Sequence, residues 1–172
     1  MRILGIDPGS RRTGVAVIAG DAGRPALVWQ GVIVTPDGDH PARLGVIFGE
    51  LSDLIAAHRP HEAAVEEVFV SRNPVSALKL GQARGAALCA IVRAGLVVTA
   101  YAPTAVKMAL VGRGRADKNQ VQHMVRLMLG LAAPLAEDAA DALAVAICHY
   151  HHLQTARRWP VAKSTARTWR QS

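Results

Sequence analysis

Three β-rich apolar runs, separated by short turns, fill the first 35 residues and constrain the fold more than any other feature of the chain. The first run ends on Asp7, and the turn PGSRRT leads into the second run at residues 14–18, which predicts a hairpin. Residues 26–35 supply the third run, so the segment is a predicted β-meander. At this point Asp7 has two interpretations, a side chain that caps the turn and a group with a chemical role.

Helix and strand patterns alternate after the meander. Apolar residues recur at helical spacing over residues 41–58, residues 63–70 are predicted to form a buried strand, and a helix is predicted to begin within residues 71–74. A strand at residues 96–101 and three further helices, the last opening at Glu137, complete the order of elements. This order predicts an α/β domain with a mixed sheet. We expect this domain over residues 1–153 and a basic, flexible C-terminal tail over residues 154–172.

One column of small residues stands out in the helix that follows residue 71. Ala77, Gly81, Gly85 and Cys89 are spaced four apart, so they share one helix face and permit close approach of another backbone. Packing against the domain's own sheet is the favoured interpretation, and a helix pair across a two-fold axis is the alternative. Neither cysteine has a partner at disulfide or zinc-site spacing.

Charge is unevenly distributed along the chain. The net charge is +7, and residues 68–136 hold nine Lys or Arg against the single acid Asp117. A basic stretch of this kind favours a phosphate backbone as partner. No apolar run reaches the roughly 18 residues of a membrane span, and no signal peptide is recognisable at the start, so we expect a cytoplasmic protein.

Four carboxylates occupy positions that suit a metal site. Asp7 ends the first strand, Glu66 lies in the fourth, and Asp138 and Asp141 share one face at the start of the last helix. Clustered acids raise one another's pKa unless a cation intervenes, and Mg²⁺ or Mn²⁺ prefers oxygen ligands. Two ions about 4 Å apart would support in-line phosphodiester hydrolysis. The simpler interpretation of Asp138 is a favourable interaction with the helix dipole, and Glu67 points to the opposite strand face.

Four ordered sequence blocks resemble the RuvC family of Holliday junction resolvases. They are ILGIDPGSRRTG, VEEVFVSRNPVSALKLGQARGAA, AVKMALVGRGRADKNQVQHMVRLML and EDAADALAVAICH, and together they cover most of residues 3–149. The resemblance implies a ribonuclease H-like fold, with a five-stranded mixed sheet and helices on both faces. It also implies a homodimer that cuts two opposed strands of a four-way DNA junction during recombination and repair, with Mg²⁺ or Mn²⁺ as cofactor and the RuvA and RuvB proteins as partners.

The resemblance assigns roles to the four acids. Asp7 of GIDPGS, Glu66 of VEEVF, and Asp138 and Asp141 of EDAADA match the family's metal-binding catalytic positions. The double glutamate leaves a choice, which alignment on the following Val-Phe pair settles in favour of Glu66. Some members of the family carry His at the last acidic position, so Asp141 makes this an all-carboxylate version.

The resemblance also supplies a set of DNA-binding residues. Phe69 matches an aromatic near the junction centre, where stacking on an unpaired base and packing in the core are both open interpretations. The basic members of the set, which supply salt-sensitive affinity for phosphate, are Arg72, Lys79, Lys107, Arg113, Arg115 and Lys118. His149, His151 and His152 are expected at a polar helix end, with no assigned role.

Two rival functions share some of these features. The motif DPGSRRTG also resembles the DxGxxxTG phosphate loop of sugar kinases, actin and Hsp70, but those proteins close two such domains on a nucleotide and this chain has room for one. A non-catalytic DNA-binding protein would use the basic middle region. Its four acids would then repel phosphate unless a metal intervened, so the nuclease interpretation is preferred.

Overall fold

One mixed sheet organises the chain, in the strand order β3-β2-β1-β4-β5. The computed structural model describes residues 1–21, 23–67 and 73–158. Strands β1, β2 and β3 are antiparallel neighbours, and β4 and β5 run parallel to β1, so the predicted mixed five-stranded sheet is confirmed. The strands span β1 (Arg2–Asp7), β2 (Arg12–Ala19), β3 (Ala26–Val34), β4 (Glu62–Glu66) and β5 (Val97–Tyr101).

Helices cover both faces of the sheet. The helices are α1 (His40–His58), α2 (Pro74–Arg93), α3 (Pro103–Val111), α4 (Lys118–Leu129) and α5 (Glu137–Arg158). Strand side chains alternate between two cores: Leu4 and Ile6 pack with α1 and α2, whereas Ile3 packs with α3, α4 and α5. Asp117 closes a capping box with Gln120 at the start of α4, which fixes where that helix begins.

The backbone of α5 lies directly on β1 and β2 at two glycines. A Cβ atom on Gly5 would lie 2.2 Å from the carbonyl oxygen of Ala142, and one on Gly14 would lie 1.9 Å from that of Asp138. Any side chain at either position would therefore push the helix off the sheet. Because Gly14 pairs with Asp7 across the hairpin, this contact places the first turn of α5 beside the end of β1.

The small-residue column of α2 points away from the sheet, so the favoured prediction of internal packing was wrong. The residues that α2 buries are Ala83, Ala87, Ala90 and Ile91, on a different face of the helix. Gly81 is exposed, and a Cβ atom there would meet no described atom within 4 Å. Sequence spacing identifies which residues share a helix face but not which face the sheet covers.

Helix α2 also has the length and apolar composition of a membrane span, and it alone does so in the part of the chain that the structure describes. Only 22% of its most apolar window is buried. A single helix of this kind is weak evidence for a membrane protein, and an outward apolar face is equally typical of a protein–protein contact.

The predicted boundaries differ most from the observed elements at β4 and α5. Strand β4 ends at Glu66, before the predicted residue 70, whereas α2 begins at Pro74, with Asn73 as its cap, within the predicted range. Helix α5 continues to Arg158, so residues 154–158 of the predicted tail are helical. Residues 159–172 lie outside the described residues, as do residues 68–72, so the rest of the tail stays a prediction.

We predict that Gly14→Ala destabilises the protein by about 1–3 kcal/mol, because the new methyl group overlaps the α5 backbone. Gly45→Ala is the matched control, since Gly45 lies on the exposed side of α1 and a methyl group there would have no described atom within 4 Å. The control should be neutral or stabilising by up to about 1 kcal/mol. Urea unfolding measures the stability of both variants. Equal midpoints for the two variants would contradict the close contact between Gly14 and the α5 backbone.

Candidate active site

Two acidic side chains meet at the ends of neighbouring parallel strands. Asp7 is the last residue of β1 and Glu66 is the last residue of β4, and the register Ile6 to Val65 makes them adjacent. Alternation along each strand turns both side chains toward the face that α5 covers. Their carboxyl groups are hydrogen-bonded to each other.

The first turns of α5 bring two more acids to this edge of the sheet. Asp138 accepts a hydrogen bond from Nε of Arg12, with 2.7 Å between Nε and Oδ2. Asp141 forms an ion pair with Lys118, with 2.9 Å between Nζ and Oδ2. The same ammonium group also contacts Glu137, so one lysine bridges two acids on the helix. All four acids predicted from the sequence are therefore found at one end of the domain.

Burial and mutual repulsion perturb the protonation of this cluster. The pKa of Asp7 is raised to about 8, first because the group is buried and then because Glu66 and Asp141 are close to it. Burial and the charge of Asp141 also raise the pKa of Glu66, while the hydrogen bond from Asp7 opposes that rise. For Asp141 burial raises the pKa and Lys118 lowers it.

The donor set has the chemistry that a hard divalent cation requires. It consists of carboxylate oxygens, which Mg²⁺ and Mn²⁺ prefer, and burial followed by the charge of neighbouring carboxylates raises the pKa values of Asp7 and Glu66. Within the residues that the structure describes, no three acidic, histidine or cysteine side chains are yet arranged to hold an ion. Two of the four acids are held by Arg12 and Lys118 instead.

A cavity of about 220 Å³ opens beside two of the acids. Glu66 and Asp141 line this cavity together with Lys107 and Lys118, so it joins acidic and basic groups. A cavity of about 510 Å³ borders the loop before α4 and includes Arg113. The cavity of about 470 Å³ lined by Arg24 and Arg158 contains none of the predicted site residues.

The other predicted DNA-binding residues are more widely spread. Arg113 and Arg115 are exposed on the loop between α3 and α4, near Lys118 in sequence. Lys79 is exposed on α2, which packs on the opposite face of the sheet from α5. Phe69 and Arg72 lie outside the described residues. The structure therefore brings Lys107 and Lys118 to the acids and leaves Lys79 apart from them.

Two groups near the acids escaped the sequence analysis. Glu137, for which the sequence suggests only a helix-dipole or surface role, shares Lys118 with Asp141. The hydroxyl of Thr13 bonds both the carbonyl oxygen and the amide nitrogen of Gly9, which ties the turn after Asp7 closed. The Thr-Gly pair at the end of the turn was the sequence feature that could have indicated this closed turn.

The expectation of a polar helix end for His149 was wrong, because its side chain is only 3% exposed. Nε2 lies 2.9 Å from Glu62, and Nδ1 lies 2.8 Å from the hydroxyl of Tyr101. A carboxylate only accepts, so Nε2 carries the proton and the tyrosine hydroxyl donates to Nδ1. Burial lowers the pKa of His149, which keeps the ring neutral. This chain of bonds joins α5 to β4 and β5.

Comparison with known proteins gives matches to one family over most of the chain. Residues 3–149 match the family model "Crossover junction endodeoxyribonuclease RuvC". The protein of that name from Alkalilimnicola ehrlichii is 60% identical over 150 residues, which is 87% of this chain and 91% of the relative. The one from Methylococcus capsulatus is 57% identical over 157 residues, covering 91% and 94% of the two chains.

A solved structure agrees with the sequence relatives. The Thermus thermophilus RuvC in complex with a Holliday junction substrate is 39% identical and superimposes with a TM-score of 0.85. The match covers 90% of this chain and 96% of that one, so the predicted ribonuclease H-like fold is confirmed. On the family model, the sequence relatives and this structure together, the chain belongs to the RuvC family of crossover junction endodeoxyribonucleases.

Proposed function

We propose that the chain is a structure-selective DNA endonuclease that resolves Holliday junctions by paired, metal-dependent hydrolysis of two opposed strands during recombination and repair. The family carries the activity, and its nucleases depend on a divalent metal. The observation that supports it in this chain is the meeting of Asp7, Glu66, Asp138 and Asp141 beside a cavity lined by Lys107 and Lys118.

The four acids are the proposed ligands of two Mg²⁺ or Mn²⁺ ions. Bound ions would activate a water molecule and stabilise the leaving 3′ oxygen of the phosphodiester. Carboxylates bind metal in their ionised form, so a bound ion would favour the ionised forms of Asp7 and Glu66, whose pKa values are raised in its absence. Asp138 and Asp141 must likewise leave Arg12 and Lys118.

The basic residues hold the DNA strand against the acids. Lys107 and Lys118 line the cavity beside Glu66, so an entering phosphate would contact ammonium groups as it nears the carboxylates. Lys118 can exchange its contact with Asp141 for a phosphate oxygen. Arg113 and Arg115 extend the basic surface along the loop, and we assign Phe69, Arg72 and Lys79 to DNA contacts on family resemblance.

Paired cuts require two active sites, and α2 offers the surface for a homodimer. Val75, Leu78 and Val92 are 60%, 64% and 64% exposed on this helix. Large apolar side chains exposed together on one element are typical of a protein–protein contact surface. The column of small residues, with Gly81 at its centre, would let a second α2 approach closely. We therefore propose that two copies pack through α2.

The remaining assignments depend on the family alone. We infer a cytoplasmic protein, because the substrate is chromosomal DNA. We also infer partnership with the branch-migration proteins RuvA and RuvB, which would supply the junction.

We predict that the protein with Mg²⁺ makes paired nicks in a four-way junction, and makes none in three-way or linear duplex DNA or in EDTA. Asp7→Asn should still bind the junction but cut at least two orders of magnitude more slowly, because it loses a ligand to the metal. Denaturing gels measure the cuts and mobility shifts measure binding. Asp53→Asn, on the exposed side of α1, is the control and should cut normally.

The result that contradicts this proposal is Asp7→Asn cutting at the rate of the control. Cuts of equal frequency in linear duplex would instead indicate a general nuclease.

We predict that Gly81→Leu weakens the homodimer about ten-fold or more, because a bulky side chain at the contact costs roughly 1–3 kcal/mol. Gly45→Leu places the same side chain on the exposed part of α1 and should leave the dimer intact. Light scattering during gel filtration, over a range of protein concentrations, gives the mass. An unchanged dimer in the Gly81 variant would exclude α2 as the contact.

A further inference from the structure

Arg12 is tied to one of the proposed metal ligands. Its Nε donates to Oδ2 of Asp138 across 2.7 Å, although the two residues are 126 positions apart in the chain. The Arg12 side chain is 53% exposed and that of Asp138 is 27% exposed, so the pair lies at the rim of the acidic cluster. Among the described residues the structure gives the Arg12 guanidinium no other hydrogen bond.

The neighbouring Arg11 has a different environment. Its guanidinium contacts Asp37, just beyond β3, at 3.2 Å. Both side chains of that pair are largely exposed, at 72% and 96%. Two adjacent arginines thus carry equal charge, yet only Arg12 contacts the acidic cluster.

A guanidinium and a divalent cation compete for the same carboxylate oxygen. An ion that used Oδ2 of Asp138 would have to displace Arg12, and until then the positive charge of Arg12 would repel the ion. The ion pair also places this positive charge beside Asp138, where it opposes the repulsion between Asp138 and the neighbouring acids when no metal is bound. Arg12 should therefore have opposite effects on the metal-free protein and on metal binding.

We propose that Arg12 is a positioning residue that holds Asp138 and competes with the metal for it, so that Arg12 lowers the intrinsic metal affinity of this site. The inference depends on the proposed function, in which Asp138 is a metal ligand. It goes beyond that function because it assigns the control of metal affinity to a residue outside the acidic set.

The test is a Mn²⁺ titration without DNA, in which electron paramagnetic resonance counts the free ion at constant ionic strength. We predict that Arg12→Gln binds Mn²⁺ about two- to five-fold more tightly, the range expected for release of one partly exposed ion pair. Arg12→Lys keeps a cation and should bind close to wild type. Arg11→Gln removes the same charge from the adjacent position and should leave the affinity unchanged.

A thermal melt in EDTA supplies the second readout. Without metal, Arg12→Gln should unfold at a lower temperature than Arg11→Gln. Added Mn²⁺ should raise the melting temperature of Arg12→Gln by more than that of Arg11→Gln, which a purely structural role of Arg12 would not produce. If Arg12→Gln binds Mn²⁺ no more tightly than Arg11→Gln does, the inference is overturned.

Asp7→Asn separates this inference from the proposed function. If Asp7→Asn loses Mn²⁺ binding and Arg12→Gln matches Arg11→Gln, only the role of Arg12 fails. If Asp7→Asn binds Mn²⁺ as well as wild type, the proposed metal ligands themselves are wrong.

Discussion

The contact between the α5 backbone and the glycines of β1 and β2 is the constraint on which the rest of the site depends. Gly5 and Gly14 have no side chains, so the carbonyl groups of Ala142 and Asp138 lie where Cβ atoms would otherwise be. This close approach brings the first turn of α5 to the end of β1. Without it, the two helical acids would be held away from Asp7 and Glu66 by at least the thickness of a methyl group.

Bringing four acids together has an electrostatic cost that the protein offsets locally. Burial and the neighbouring acids raise the pKa of Asp7, while Arg12 and Lys118 form ion pairs with the helical acids. Under the proposed function, a divalent ion would take the place of these contacts and free the side chains of Arg12 and Lys118. The contacts that offset repulsion among the acids are thus the ones that a metal and a DNA strand would exchange.

The sequence predicted the sheet and the meeting of the acids, because strand ends and three-residue helix spacing follow local rules. It could not predict which way the α2 column faces or that His149 is buried, since both depend on the layer that covers each helix. The sequence also could not predict that Arg12 contacts Asp138, because a contact between residues 126 positions apart leaves no local pattern. Roles at Phe69 and Arg72 stay predictions from resemblance.

Thermal unfolding of wild type and Asp7→Asn in EDTA, as a function of pH, tests most directly whether the acid cluster is repulsive and requires a metal. A buried carboxyl whose pKa rises from 3.8 to about 8 stabilises the fold less and less as pH increases through that interval. The advantage of the asparagine variant should therefore grow from acidic pH up to about 8, level off above it, and shrink when Mg²⁺ is added. An advantage that does not change with pH or with Mg²⁺ would contradict a repulsive, metal-requiring acid cluster.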